Sequence, residues 1–265
     1  MDMQARSWRV GQIVPSSNTT METEVPLLLR GHEALSNERF TFHSSRMRMK
    51  RVTREELAAM DSDSDRCALE LSDARVDVMG YACLVAIMSM GHGYHRQSEA
   101  RLRARAADNG GPAPVVTSAG ALVQGLHALG AKRIALVAPY MKPLTKMVIE
   151  YLEAEGIEVL DSISLEIEDN LMVGARDPLA LVDIAPKLNI ANADAVVLSA
   201  CVQMPSLAAV PLVEAKLGVP VTSSSICTAF RMLEELGLET VSRDAGALLS
   251  GRYSSATAAP LAAVN

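Results

Sequence analysis

The sequence predicts an α/β protein of two similar halves, each a mainly parallel sheet flanked by helices, with a site in the cleft between them. One observation is the alternation of apolar runs of strand length with helix-like stretches, the pattern of βα units joined by right-handed crossovers. The other is repetition. Asp77-Val-Met-Gly-Tyr-Ala-Cys83-Leu84 is echoed by Asp194-Ala-Val-Val-Leu-Ser-Ala-Cys201-Val202: an acidic residue, an apolar stretch, then Ala-Cys. Arg9-Val-Gly-Gln-Ile-Val-Pro15 matches Arg133-Ile-Ala-Leu-Val-Ala-Pro139, and Pro114-Val-Val-Thr117-Ser118 matches Pro220-Val-Thr222-Ser223. The three markers keep their order but drift in spacing, as in an old duplication with altered loops and not in a tandem solenoid.

Apolar runs place strands at 10–14, 40–45, 76–81 and 115–117 in the first half and at 134–138, 158–163, 195–199 and 219–222 in the second. Amphipathic stretches between them place helices at 54–72, 97–108, 121–129, 143–155, 178–189, 207–217 and 228–236. Gly130, Gly156 and Gly237 follow helical runs, where a left-handed residue ends a helix. The halves divide as 1–120 plus 224–265 against 121–223, with the last helix returning to the first half. The Ala/Ser-rich tail from Ser250 reads as loosely held.

Composition narrows the function. Of 265 residues 49% are hydrophobic and only 3% aromatic, so Ala, Val, Leu and Met fill a core suited to parallel strands. A net charge of −6 and the shortage of stacking aromatics argue against a nucleic-acid partner. No window approaches the ~20 apolar residues of a membrane span, and the N-terminus lacks a signal peptide's apolar stretch, which points to the cytoplasm. There Cys67, Cys83, Cys201 and Cys227 are expected to be reduced. The basic run Arg46, Arg48, Lys50, Arg51, Arg54 reads as a solvated strand and loop, or as a lid that attracts an anion.

Ligands of open α/β sheets sit beyond the carboxyl ends of strands, where helix N-termini present N–H groups. Four equivalent positions fall there: Pro15-Ser-Ser-Asn18, Cys83-Leu84-Val85, Pro139-Tyr140 and Cys201-Val202-Gln203. A thiol at a helix start is expected to have a lowered pKa, and its N–H neighbours can hold a carboxylate and developing charge. Cys67 reads as a buried helix residue and Cys227 as structural. Asn18 also reads as a turn or cap, Thr19-Thr-Met-Glu22 as a capping box, Tyr140 as a surface aromatic and Asn170 as a polar loop residue. Gly91-His92-Gly93-Tyr94-His95 reads as a glycine-flanked turn or helix start, since two histidines without a third ligand make no metal site.

Pro15-Ser-Ser-Asn18-Thr-Thr-Met-Glu-Thr-Glu, Tyr81-Ala-Cys83-Leu-Val-Ala86, Gly91-His-Gly-Tyr-His95, Pro139-Tyr140 and Ser199-Ala-Cys201-Val-Gln-Met-Pro-Ser206 together resemble the maleate cis–trans isomerases of the aspartate/glutamate racemase superfamily. The resemblance spans most of the chain. It implies two Rossmann/flavodoxin-like halves related by a pseudo-twofold axis, with a thiol from each at their interface. It also implies a homodimer or homotetramer that needs no cofactor or metal and acts on a small dicarboxylate. Carried over, Cys83 is the nucleophile and Cys201 its acid/base partner. Asn18, Tyr140 and Asn170 hold the carboxylates, and Leu84, Val85, Val202 and Gln203 complete the substrate lining. The chemistry implied is thiolate addition to maleate, rotation about the resulting single bond, and expulsion to give fumarate.

Other readings are a two-cysteine racemase of the aspartate/glutamate/hydantoin type, an arylmalonate decarboxylase, and a non-catalytic dicarboxylate-binding protein. The racemases follow their thiols with Asn-Thr and Thr-Glu, where this chain has Leu84-Val85 and Val202-Gln203. The decarboxylases keep one thiol where this chain keeps two, and in a binding protein both would be incidental.

Overall fold

A computed structural model describes residues 6–50 and 52–253, with only the backbone of Arg54. The chain forms β1 (Ser7–Pro15), α1 (Met21–Glu33), β2 (Arg39–Met47), α2 (Arg54–Asp73), β3 (Val78–Tyr81), α3 (Leu84–Ser89), α4 (Tyr94–Asp108), β4 (Val115–Thr117) and α5 (Ser118–Ala128). The chain continues with β5 (Arg133–Ala138), α6 (Lys142–Ala154), β6 (Glu158–Ser164), α7 (Asn170–Gly174), α8 (Leu181–Ile184), β7 (Ala195–Ser199), α9 (Val210–Leu217), β8 (Val221–Ser223) and α10 (Ser224–Glu235).

Each expected strand forms. They make two four-stranded sheets of identical order, β2-β1-β3-β4 and β6-β5-β7-β8, with every pair parallel. The inner strands β3 and β7 are buried at every residue, as strands covered by helices on both faces must be.

The repeated residues do the same work in both halves. Asp77 Oδ2 accepts the N–H of Arg9 at 2.7 Å, and Asp194 Oδ2 accepts that of Arg133 at 2.8 Å, so each carboxylate pins its inner strand to the first strand of its half. At the other end Ala82 N–H bonds Ile13 O at 2.9 Å and Ala200 N–H bonds Val137 O at 3.0 Å, which carries the ladder up to each cysteine. Thr117 and Ser223 cap α5 and α10 through their hydroxyls. These two helices pack on each other, and α10 also touches α1 and β3.

Some helical details differ from the sequence expectation, among them the short helices α3 and α7, which it does not include. The stretch 178–189 is not one helix: 3-10 turns at Pro178–Ala180 and Ala185–Lys187 flank α8, because Pro186 has no N–H to continue it. The stretch 207–217 begins as a 3-10 turn at Leu207–Ala209 before α9. A helix forms at α1 despite Pro26, which sits in its interior at the cost of one N–H. Gly130, Gly156 and Gly237 take φ values of 71°, 82° and 69° just past α5, α6 and α10. Gly93, at φ 72°, starts α4. Cys67 and Cys227 are fully buried. Among the described residues no helix is long and apolar enough to cross a membrane. Most of the tail from Ser250 lies outside the described residues.

Candidate active site

Strand order reverses beside β1 in the first sheet and beside β5 in the second, and ligands of open α/β sheets bind at such switch points. The chain leaving β3 and β7 at these points carries Cys83 and Cys201.

Cys83 joins β3 to α3 in a left-handed conformation, φ 92° and ψ 76°. A non-glycine residue there costs roughly 1–3 kcal/mol, and such strain gathers at functional sites. The sharp turn leaves the side chain half-buried against the pocket while Leu84 and Val85 open the helix. Cys201 is buried in a turn fixed by Ser199, whose hydroxyl donates to Cys201 O at 2.7 Å and is 3.2 Å from Met204 O.

The two thiols differ electrostatically. Burial pushes Cys83 up to about 12, and the charges of Cys201 and Asp61 add to this against the N–H of Ala86. Burial also raises Cys201, but the Tyr140 hydroxyl and the N–H groups of Gln203 and Met204 point at its sulfur and oppose the rise. Cys201 therefore has more hydrogen-bond donors aimed at its sulfur than Cys83 has. The lowered thiol pKa expected at a helix start is not found at Cys83: desolvation outweighs the few N–H groups of a six-residue helix. Burial and the two thiols keep the Tyr140 phenol protonated and donating. Tyr140 is buried and is not a surface aromatic.

Asn18 has two jobs. Its Oδ1 accepts the N–H groups of Thr20 (2.9 Å) and Met21 (3.0 Å), which leaves the NH₂ for the pocket. The capping box does not form, because Asn18 takes that role, the Thr20 hydroxyl turns to Gln203 O at 2.7 Å and Glu22 pairs with Arg46 at 3.0 Å. Arg46 also donates to Asn18 O at 2.5 Å and Ser16 O at 3.2 Å, so it braces the Asn18 loop. Asn170, the first residue of α7, donates from Nδ2 to Ser17 Oγ at 2.8 Å across the cleft.

All nine residues singled out from the sequence line one pocket: Asn18, Cys83, Leu84, Val85, Tyr140, Asn170, Cys201, Val202 and Gln203, joined by Pro15, Met49 and Val52. The pocket is narrow and partly open to solvent, with room only for a small ligand. A wider opening bordered by Lys50, Glu168 and Asp169 shares Val52 and Tyr140 with it. Of the basic run, Arg48 and Lys50 are exposed, while Arg51 and the Arg54 side chain lie outside the described residues.

Sequence reasoning missed Met49, Val52 and Asp61. Met49 continues the alternate burial of Ser45 and Met47 and was detectable in that way; Val52 carried no such signal. Asp61 is buried under β3 and α4. It accepts from Tyr81 (3.2 Å), Tyr94 (2.6 Å) and Arg101 (3.1 Å), partners with no sequence pattern in common. His95 is buried and sits 2.6 Å from the Tyr151 hydroxyl through Nδ1. Among the described residues no group of three or more His, Cys, Asp or Glu side chains is placed to hold a metal ion.

Residues 10–249 match the model of the arylmalonate decarboxylase family. A maleate isomerase of Geobacillus stearothermophilus is 62% identical over 250 residues, 94% of this chain and 100% of that protein. The crystal structure of a cysteine-to-alanine variant of the maleate isomerase Iso from Pseudomonas putida S16, with maleate, superposes with a TM-score of 0.92. It has 61% identity and covers 94% of this chain and 99% of that one. A cysteine-to-serine variant of the Nocardia farcinica maleate cis-trans isomerase, with a covalently bound succinylcysteine intermediate, gives a TM-score of 0.88. It has 46% identity over 92% of this chain and 98% of that one.

Proposed function

The chain belongs to the arylmalonate decarboxylase family and, within it, to the maleate isomerases, and from that premise we propose that it converts maleate to fumarate by reversible addition of the Cys83 thiolate. The observation that carries this reading is the pairing of two unlike thiols in one small pocket, each at the same point of its half.

The Tyr140 hydroxyl and the backbone N–H groups of Gln203 and Met204 favour the Cys201 thiolate, and that thiolate takes the proton of Cys83. The freed Cys83 sulfur bonds to one alkene carbon. The π electrons move toward the neighbouring carbon and its carboxylate, where the N–H groups at the start of α3 receive the developing charge, while the amides of Asn18 and Asn170 hold the carboxylates throughout. Cys201 returns its proton to that carbon, giving a saturated succinyl thioether. Rotation about the former double bond separates the carboxylates. Cys201 then removes the proton again, the double bond reforms and Cys83 leaves as thiolate. The succinylcysteine of the Nocardia farcinica protein supports a covalent cysteine adduct, since it forms where one cysteine has become serine and so sits on another.

Proton NMR of the purified chain with maleate and no added cofactor tests the reading, with Cys83→Ala alongside. Fumarate from the wild type and none from the variant is the expected result. Maleate left untouched by the wild type sinks it.

A further inference from the structure

The side chain of Gln203 is fully engaged by protein. Its Nε2 donates to the carbonyls of Asn170 (2.7 Å) and Ser17 (3.1 Å), and its Oε1 accepts the N–H of Thr19 at 2.8 Å. A primary amide has two N–H donors, and both are used. The backbone of the same residue is engaged too: its carbonyl accepts the Thr20 hydroxyl, and its N–H points at the Cys201 sulfur. Although Gln203 borders the pocket, it has no donor left for a ligand.

The groups it joins come from different halves. Ser17 and Thr19 flank Asn18, while Asn170 opens α7. Both asparagines line the pocket, and both would meet a carboxylate. Packing around the joint leaves no slack: a Cβ on Gly174 would come within 2.5 Å of Gln203 Nε2 and 2.6 Å of Thr19 Oγ1. This one amide therefore ties the backbone beside Asn18 to the backbone of Asn170.

We propose that Gln203 is a positioning residue that fixes the two carboxylate-binding asparagines across the cleft, and so sets substrate affinity through them and not by its own contact. The inference rests on the dicarboxylate reading above. An asparagine that grips a carboxylate grips it in substrate and adduct alike, and loss of such uniform binding raises KM while sparing kcat.

Gln203→Met keeps the volume and removes both donors; Gln203→Glu puts an acceptor against two carbonyls. Each is assayed for KM and kcat with maleate, for Kd with succinate (which has no alkene to attack), for its thermal midpoint and for the iodoacetamide alkylation rate of the two thiols. The expected result is a rise of about 10-fold or more in KM and in succinate Kd, with kcat and alkylation within about 3-fold of wild type. A folded Gln203→Met with wild-type KM overturns the proposal. So does a fall in kcat at constant KM, which would place Gln203 in the thiol chemistry.

Should both variants fail to fold, Gly174→Ala serves, because alanine favours the helix while its methyl pushes on the same amide. An unchanged KM in that variant overturns the proposal equally. A wild type inert toward maleate, with succinate binding still weakened in the variants, overturns the isomerase reading and leaves the positioning role standing.

Discussion

Replacing Tyr140 with phenylalanine removes one oxygen and, with it, the O–H that donates to Cys201. The site is buried, so water does not substitute freely for the lost donor. A hydrogen bond to a charged group is worth ~1.5–3 kcal/mol, which converts to a loss of about 10- to 150-fold in rate near neutral pH. The direction with pH follows from the role. The phenol lowers the Cys201 pKa, so without it Cys201 ionises at higher pH and the rising limb of the rate profile moves upward. The defect should stay constant while pH is below the Cys201 pKa of both proteins and shrink only above it, where Cys201 becomes a thiolate in both. Initial rates of fumarate formation between about pH 6 and 10, measured at saturating maleate, give the profile. A rising limb at the wild-type position, together with a raised KM, would refute the argument and assign the phenol to the substrate carboxylate alone.

Two other outcomes are accessible. Acetylenedicarboxylate offers Cys83 an alkyne; the adduct is a vinyl thioether, and expelling the thiolate would have to rebuild the triple bond. One equivalent should remain on Cys83 by peptide mass spectrometry, and labelling of Cys201 instead would reverse the assigned roles. Burial pushes the His95 imidazole down to about 4, whereas the unfolded chain takes up that proton near 6.5. Stability from this group is full above about pH 6.5 and falls as pH drops toward 4, by on the order of 3 kcal/mol. Urea unfolding should show that slope and its flattening in His95→Gln; the same slope in both proteins would rule out His95 as its source.

The sheets were legible because parallel strands covered on both faces must be apolar throughout, as at 195–199, and because Asp77 and Asp194 repeat for one structural reason. The cysteine positions followed from strand ends. Elements whose logic is not local were harder to see. Pro26 masked α1, whose start is satisfied by Asn18 outside the helix. Pro186 broke a stretch whose periodicity looked continuous. The unlike surroundings of the two thiols depend on Tyr140, delivered from a loop some 60 residues before Cys201, and on Asp61 behind Cys83; no spacing encodes either. Gln203 looked like a ligand contact because it follows a cysteine, yet its donors point at backbone groups distant in sequence.

The left-handed backbone at Cys83 sets stability against selection. A φ of 92° is a glycine's ground, so mutation to glycine at this one position would relieve strain in the fold while deleting the thiol. Every other exchange loses the sulfur as well, and of those only asparagine and aspartate readily tolerate such a backbone. Drift guided by stability alone would therefore lead away from cysteine, and the thiol persists only where its chemistry is worth more to the cell than the stability it forgoes.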